Sequence, residues 1–563
     1  MYDLVIRNVT IVDGTGRPPF VGDLAVADGR IAAVGDEIGT GREEVDGTGL
    51  ALMPGIIDAH THYDAQVTWD PFCDPSPAHG VTTVVVGNCG FTIAPTRPEH
   101  RDLMMRHLMR VEGMSVEALR EGIRWDFETF PEYLDTLDRQ GVGPNLAVYI
   151  GHSALRTFVM GAAASERAAT DDEIATMRGI VAEAMSAGAT GFSTSTHEQH
   201  VGDGGVPMPS RLADARELKA LAEAVGESKR GMLMLVKGSA TSVPYLEGIA
   251  ASAGRPMLVS AMRHHPSKPN QVFDDLGAMR AARERGAMLY GQCSCLPMSM
   301  DFTLENPYPF EAYDAWGPAI RATDTLDYRR VLADPDFRSG MKHDIEHSAG
   351  ARIFRGNWDK LLIAEAGTPA NRALEEQSVG ELAREAGKHP FDYFLDLALT
   401  EDLKTNFTTE FSNYEVEAVG RILADPDNQI SLGDGGAHLS FLCEAGFGLH
   451  LLGRWVRDLG VLRLEEAVRR LSQQPANLFG FVDRGTLAKG MAADLLLFDP
   501  ATVGIGAKRR LFDLPAGATR LRTDPLGVHG VWINGVRVAD ADGPVDTGAR
   551  RPGKVLREYR MAS

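Results

Sequence analysis

The stretch GIIDAHTH, residues 55–62, places two histidines directly after a short apolar run. Such a run, beginning at a Pro-Gly pair, predicts a buried β-strand. Because residues i and i+2 of a strand face the same side, His60 and His62 point their imidazoles at one spot. Two imidazoles that converge at a strand end predict a metal site, in preference to two ordinary polar residues that end the strand.

Seven further stretches have the composition of buried strands, and amphipathic helical segments separate several of them. The helical pattern of residues 170–188, for example, begins at a Thr-Asp cap and ends at Gly188. Together with residues 55–62, these strands make about eight β/α units, which predicts an α/β fold of the TIM (β/α)8 barrel type. The predicted strands lie within residues 80–89, 145–153, 188–196, 231–238, 255–262, 286–295 and 428–436.

Both ends of the chain have a different sequence pattern from the middle. Residues 1–53 and 481–563 alternate short apolar strands with Gly and Asp turns, and the Asn-Gly pair at 534–535 predicts a hairpin. We therefore predict one small β-sandwich domain built from both termini, around a barrel that spans residues 54–480. Within the barrel, the aromatic segment 298–350 is predicted to be an inserted lid rather than a β/α unit.

The composition argues against several classes of partner. A net charge of −20 leaves no basic surplus to neutralise phosphates, which argues against nucleic acid. The sequence has no run of about 18 apolar residues that would predict a membrane span, and its N-terminus lacks the basic start and apolar core of a signal peptide. Five cysteines in 563 residues do not form a disulfide framework, so we expect a cytoplasmic protein.

In a TIM barrel the functional residues lie at the carboxyl ends of the strands, so polar residues there are the candidates. Cys89 ends the second predicted strand and is either a small buried apolar residue or a thiolate that binds or bridges metal ions. Asp434 comes after the last predicted strand and is either an Asp-Gly turn residue or a metal ligand that also takes a proton from water. Because the last strand meets the first in a closed barrel, we favour the metal ligand for Asp434.

Other polar residues near strand ends are weaker candidates. His152 fits a hydrogen-bonded structural residue as well as a functional one, and His438 is a candidate either for a substrate contact or for a contact that supports a metal ligand. Residues 197–200, HEQH, do not match the HExxH zinc motif, because the histidines are three positions apart rather than four. We interpret the remaining residues of this kind as loop or core residues: His197, His200, His264, His265, Cys293 and Cys295.

Several longer motifs resemble those of one known family. They include LMPGIIDAHTHYDAQ (52–66), HGVTTVVVGNCGFTIAP (79–95), SLGDGGAH (431–438) and SQQPANLFGFVDRGTLAKGMAADLLLFDP (472–500). Through them the chain resembles the amidohydrolase superfamily and, within it, the D-aminoacylase (N-acyl-D-amino-acid deacylase) family, nearly end to end. The resemblance implies a TIM barrel with a small β-sandwich, bound zinc, and hydrolysis of a small-molecule N-acyl amino acid of D configuration.

The resemblance also implies roles for individual residues. His60, His62, Cys89 and Asp434 match metal ligands of the family. Asp434 matches, in addition, the general base that activates water. His152 belongs to a strand-end segment that the family shares.

The chain departs from the family at two positions. The family normally has two more histidine ligands, at the ends of the fifth and sixth strands, where this chain has Val236 and Ala261. Neither side chain binds a metal, so one Zn²⁺ or other divalent ion per chain is expected rather than two. Lys237 and Arg263 are the cations at comparable strand ends, and we expect one of them to hold the substrate carboxylate.

Two alternatives stay open at this point. The altered strand ends also suit a hydrolase of another C–N or C–O bond, such as a cyclic amide, a carbamate or a lactone. The missing histidines favour a non-catalytic barrel that serves as a binding or assembly protein, whereas the joint presence of the other four ligands argues against it. Homo-oligomers are common for such barrels, although the sequence contains no interface signal that supports one.

Overall fold

The computed structural model describes residues 1–202, 205–347, 352–439 and 443–560. Contacts between Cα atoms divide the chain into two compact units. The first unit comprises Met1–Arg263, Asn270–Leu296 and Glu417–Ser563, and the second comprises His264–Pro269 and Pro297–Val416. Within the described ranges, no helix is both long enough and apolar enough to cross a membrane.

The first unit contains an eight-stranded parallel sheet whose strands are adjacent in chain order. Hydrogen bonds from Ala59 N to Ser431 O (3.0 Å) and from Asp434 N to His60 O (2.9 Å) join the segments that come after the first and last strands. The sheet therefore closes, and the predicted TIM barrel is confirmed. Its strands are β1 (Ile56–Asp58), β2 (Val81–Val86), β3 (Asn145–Gly151), β4 (Gly191–Ser195), β5 (Met232–Val236), β6 (Met257–Ser260), β7 (Leu289–Cys293) and β8 (Asn428–Ile430).

The barrel strands are largely buried on both faces because helices cover the outside and side chains fill the inside. Every residue of β2 and of β3 is buried. The helices of the first unit are Arg101–Glu112, Val116–Gly122, Phe130–Gln140, His152–Met160, Asp171–Ala187, Ala215–Glu227, Val243–Ala253, Gln271–Glu284, Val416–Ala424, Phe447–His450, Leu451–Asp458 (a π-helix), Leu464–Leu471 and Gln473–Phe479. The first residue of the helix Val416–Ala424, Val416, is assigned to the second unit.

The helix Asp171–Ala187 shows how local sequence sets its limits. The Thr170 side chain accepts a hydrogen bond from the backbone of Glu173, and the Glu173 side chain accepts one from the Thr170 backbone, which completes a capping box. At the other end Gly188 adopts φ = 112°, in the region that favours glycine. Both predicted limits of this helix are confirmed.

Strands from both chain ends form one nine-stranded sheet in the first unit. The antiparallel pair Ala51–Pro54 and Leu495–Phe498 joins the N-terminal strands to the C-terminal ones. The predicted hairpin is confirmed, with Asn534 and Gly535 at positive φ (46° and 79°). The other strands of this sheet are Tyr2–Ile11, Phe20–Ala27, Arg30–Gly35, Gly41–Asp46, Val528–Ile533, Val536–Asp540 and Gly543–Pro544, and a separate hairpin pairs Gly504–Leu511 with Arg520–Leu526.

The second unit has its own small sheet and its own aromatic core. Three antiparallel strands, Met298–Phe302, Leu361–Glu365 and Asn406–Ser412, pack with a cluster that includes Phe310, stacked on Trp316 at 5.4 Å between ring centroids. Segment 298–350, expected to be an insertion, lies within this unit, which continues to Val416. The helices are Gly317–Ile320, Thr325–Ala333, Pro335–His347, Val379–Glu385 and Pro390–Thr400.

Candidate metal centre

Three barrel strands lead into the segments that bear the predicted metal ligands. His60 and His62 come after β1, Cys89 after β2, and Asp434 after β8. Cys89 and Asp434 adopt positive φ (58° and 43°), which is rare for residues with a side chain. Backbone strain of this kind concentrates at functional sites, where the surrounding structure enforces it.

The four side chains converge, and we call them the donor cluster. Cys89 Sγ lies 3.4 Å from His60 Nε2 and 3.8 Å from His62 Nε2. Asp434 Oδ1 lies 3.5 Å from His60 Nε2 and 3.4 Å from His62 Nε2. Cys89, after β2, and Asp434, after β8, thus each lie beside both histidines that come after β1, although the three segments are far apart in the sequence.

The spacing of these atoms fits a divalent metal. Any two ligand atoms of a tetrahedral zinc ion, each about 2.0–2.3 Å from the ion, lie about 3.3–3.8 Å apart. The measured separations fall in that range. Among the described residues, His60, His62 and Cys89 are the one group of three metal-binding side chains whose ligand atoms all lie within 4.8 Å of one another.

Each histidine of the cluster has a polar side chain close to its Nδ1 atom. His60 Nδ1 lies 2.9 Å from Gln292 Oε1, and Gln292 Nε2 donates to the carbonyl of Ser431 at 3.2 Å. His62 Nδ1 lies 3.1 Å from Oε1 of the buried Glu112. Contacts at Nδ1 leave Nε2 of both rings directed at the other donors, which is the arrangement that metal-binding histidines commonly have.

Asp58 joins the two segments that close the barrel. Its Oδ1 atom accepts hydrogen bonds from His60 N (3.2 Å) and Gly433 N (3.1 Å). A Cβ atom on Gly433 would lie 2.2 Å from Asp58 Oδ2, so only glycine fits there. Burial raises the pKa of Asp58 well above its usual value, against the effect of these two hydrogen bonds.

Electrostatics at the cluster are dominated by burial. Burial lowers the pKa of His60 to about 4 and raises that of the Cys89 thiol to about 11. At Asp434 burial opposes ionisation, but the hydrogen bond from His62 and the charges of both histidines outweigh it and lower the pKa of the carboxyl. At His62 burial lowers the pKa of the ring, but the Glu112 charge and the contacts with Asp434 and Cys89 together outweigh it and raise this pKa.

The predicted substrate-binding residues lie in different surroundings. Lys237 Nζ forms an ion pair with Asp275 Oδ2 at 2.9 Å. Arg263 has electrostatic interactions with Asp434, Glu444 and Cys89, and burial lowers the pKa of its guanidinium. In the described part of the chain, no hydrogen bond or ion pair occupies Arg263.

The two histidine candidates also differ from each other. His438 Nε2 lies 4.0 Å from Asp434 Oδ2, beside the donor cluster. His152 is fully buried in another network, with Nδ1 2.8 Å from Thr194 Oγ1 and Nε2 2.8 Å from Glu217 Oε1. The structure therefore brings His438 to the cluster and places His152 among other partners.

The two positions without histidine lie at the ends of β5 and β6. Val236 ends β5 in parallel register with Ser260 of β6, and Ala261 comes directly after Ser260. His264, the nearest histidine in sequence to Ala261, belongs to the second unit, where its carbonyl accepts a hydrogen bond from Asn413 N at 2.8 Å.

The sequence interpretation missed Gln292, Glu112 and Glu444. Gln292, a polar residue near the end of β7, had a positional signal, whereas Glu112 ends a helix and had none. Burial raises the pKa of Glu444 to about 8, assisted by Asp434 and opposed by Arg263.

Comparisons with known proteins agree with this geometry. The sequence profile of the Amidohydrolase family matches residues 43–539. The N-acyl-D-aspartate deacylase of Alcaligenes xylosoxydans xylosoxydans is 30% identical over 560 residues, 98% of this chain and 95% of the relative. The D-aminoacylase of the same organism is 29% identical over 540 residues, 95% of this chain and 94% of the relative.

A solved structure gives the same result. The N-acyl-D-glutamate deacylase of Bordetella bronchiseptica, crystallised with zinc and a phosphonate that mimics the tetrahedral intermediate, is 27% identical, with a TM-score of 0.66 over 99% of this chain and 100% of that one. The protein is thus an amidohydrolase by fold and by sequence. Within that class it belongs to the family of D-aminoacylases and N-acyl-D-amino-acid deacylases, and the predicted resemblance is confirmed.

Proposed function

We propose that this protein hydrolyses the amide bond of an N-acyl amino acid of D configuration with the help of one zinc ion per chain. The observation that carries this proposal is that Cys89 Sγ and Asp434 Oδ1 each lie 3.4–3.8 Å from the Nε2 atoms of both His60 and His62. Val236 and Ala261 offer no donor for a second ion, which supports a count of one. None of the five cysteines forms a disulfide in the described structure, which supports a cytoplasmic location.

The donor cluster would hold the ion, with Cys89 as a thiolate and both histidines neutral. A divalent ion held there would supply Lewis acidity to the scissile carbonyl and to the attacking water. The remaining steps fall to side chains of the protein.

Asp434 has the geometry of a general base. Its Oδ1 atom faces the two histidines, at 3.5 and 3.4 Å, while Oδ2 faces His438 Nε2 at 4.0 Å. One oxygen is thus directed at the cluster and the other is available to receive a proton from water. Asp434 then returns this proton to the nitrogen of the leaving amine, which must be protonated to depart.

Arg263 is the cation that we assign to the substrate carboxylate. Its charge interacts with Asp434 and Cys89, so it lies near the reacting groups, and a guanidinium binds a carboxylate through two hydrogen bonds. Lys237, the other sequence candidate, already pairs with Asp275. The carboxylate of an N-acyl amino acid would therefore be fixed by Arg263.

The test combines metal content with a substrate panel. Protein purified without added metal is analysed for zinc and assayed on N-acetyl-D- and N-acetyl-L-amino acids, a cyclic amide, a carbamate and a lactone. We expect about one zinc per chain and preferential cleavage of the D-amide. Cleavage of the cyclic amide, carbamate or lactone alone would establish the other hydrolase, and a chain that takes up no zinc and cleaves nothing would be a binding protein.

A further inference from the structure

Glu112 is a buried acidic residue that lies directly behind the donor cluster. It ends the helix Arg101–Glu112, and the chain then turns at Gly113, which has φ = 61°. Only 2% of its surface is exposed. Burying a carboxylate in this way is costly unless a partner compensates for the lost hydration, so its contacts indicate why it is there.

Both ends of Glu112 contact the site. Its side-chain Oε1 lies 3.1 Å from His62 Nδ1, and its backbone carbonyl accepts a hydrogen bond from His438 N at 2.5 Å. One residue of a surface helix thus links the segment after β1 to the segment after β8.

The side-chain contact lies on the Nδ1 side of the His62 ring, opposite the nitrogen that faces the other donors. With Nδ1 next to Glu112, Nε2 lies 3.8 Å from Cys89 Sγ and 3.4 Å from Asp434 Oδ1. A carboxylate at Nδ1 favours a proton on that atom and leaves the Nε2 lone pair for a metal. His60 is held differently, through the neutral amide of Gln292 at 2.9 Å.

We propose that Glu112 is a positioning residue that orients His62 and holds its Nε2 ready to bind the metal. This inference rests on the metal centre of the proposed function. In this proposal Glu112 does not bind the metal or the substrate itself. It acts through the side chain of His62 and through the backbone of His438.

The experiment measures the zinc dissociation constant by competition with a chelator. Glu112→Ala is expected to weaken zinc binding about 10–100-fold. Glu112→Gln keeps an acceptor oxygen and is expected to bind zinc more tightly than Glu112→Ala. The matched control is Glu401→Ala, because Glu401 is equally buried but accepts hydrogen bonds from Gly367, Thr368, Asn371 and Thr405 of the second unit.

The outcomes separate this inference from the proposed function. A wild-type chain that binds no zinc would refute the metal centre. Zinc binding within twofold of wild type in Glu112→Ala, a loss of equal size in Glu401→Ala, or a Glu112→Gln variant no better than Glu112→Ala would each overturn the role of Glu112 alone.

If the Glu112 variants do not fold, a crystal structure of the zinc-loaded wild type decides the question. We expect His62 Nε2 at the ion and His62 Nδ1 within hydrogen-bonding distance of Glu112. A ring turned so that Nδ1 binds the ion would overturn the proposal.

Discussion

Two sectors of the barrel rim differ in the residues that their strands lead into. After β1, β2 and β8 the chain bears the donor cluster, with positive φ at Cys89 and Asp434. After β5 and β6 it bears Val236 and Ala261, and these two strands pair in regular parallel register without any metal ligand. The barrel therefore forms without ligands at these strand ends. The meeting of histidine, thiol and carboxylate side chains in the other sector is best explained by chemistry rather than by folding.

The largest loss of activity is expected from a substitution in the donor cluster. Asp434→Asn removes the proton acceptor and one charged ligand with little change in shape, so kcat for amide hydrolysis should fall about 10³-fold or more. Steady-state kinetics measure this loss, and thermal unfolding of the same sample checks that the fold is intact. Activity within tenfold of wild type would remove Asp434 from its proposed role.

A smaller loss of kcat/KM is expected when Arg263 is replaced, and almost none when Lys237 is replaced. Arg263→Ala should lower kcat/KM about 10–100-fold, because a hydrogen bond to a charged group contributes about 1.5–3 kcal/mol. Lys237→Ala, the matched control, removes a cation that pairs with Asp275 and should change kcat/KM less than about threefold. Equal losses in the two variants would contradict the assignment of the carboxylate to Arg263.

Restoring the two missing histidines at the ends of β5 and β6 is expected to create a second metal site. The double variant Val236→His, Ala261→His places imidazoles at the two strand ends where the family has them, and Cys89 is already present nearby. Metal content should rise from about one to about two ions per chain, by elemental analysis after incubation with zinc and desalting. Each single variant is the control, since one added imidazole gives an incomplete second site. A content that stays near one would mean that the backbone of this sector no longer places ligands at the centre.

Much of the architecture follows from short-range pattern. The apolar runs predict all eight barrel strands, and the Thr170 cap and Gly188 mark both limits of one helix, because hydrogen bonds within a few residues decide those features. His60 and His62 were identified as a pair from the two-residue period of a strand.

Contacts between residues far apart in the sequence could not be predicted in the same way. Gln292 lies 232 positions from His60, and Gly433 lies 375 positions from the Asp58 carboxylate that it contacts. Sequence spacing alone also gave no reason to prefer Arg263 to Lys237, because the partner of Lys237, Asp275, lies on a helix 38 positions away.

The amino-acid sequence by itself therefore determined the class of fold, the two histidines after β1, and the absence of histidine at positions 236 and 261, since each depends on residue identity and local period. Only the tertiary structure decided that Cys89 and Asp434 lie beside the two histidines, that Glu112 and Gln292 lie close to the Nδ1 atoms of the histidine rings, and that His152 has other partners. The physical reason is that these contacts arise when β8 closes against β1 and a helix packs behind them, and barrel closure brings together side chains whose separation along the chain bears no relation to their separation in space.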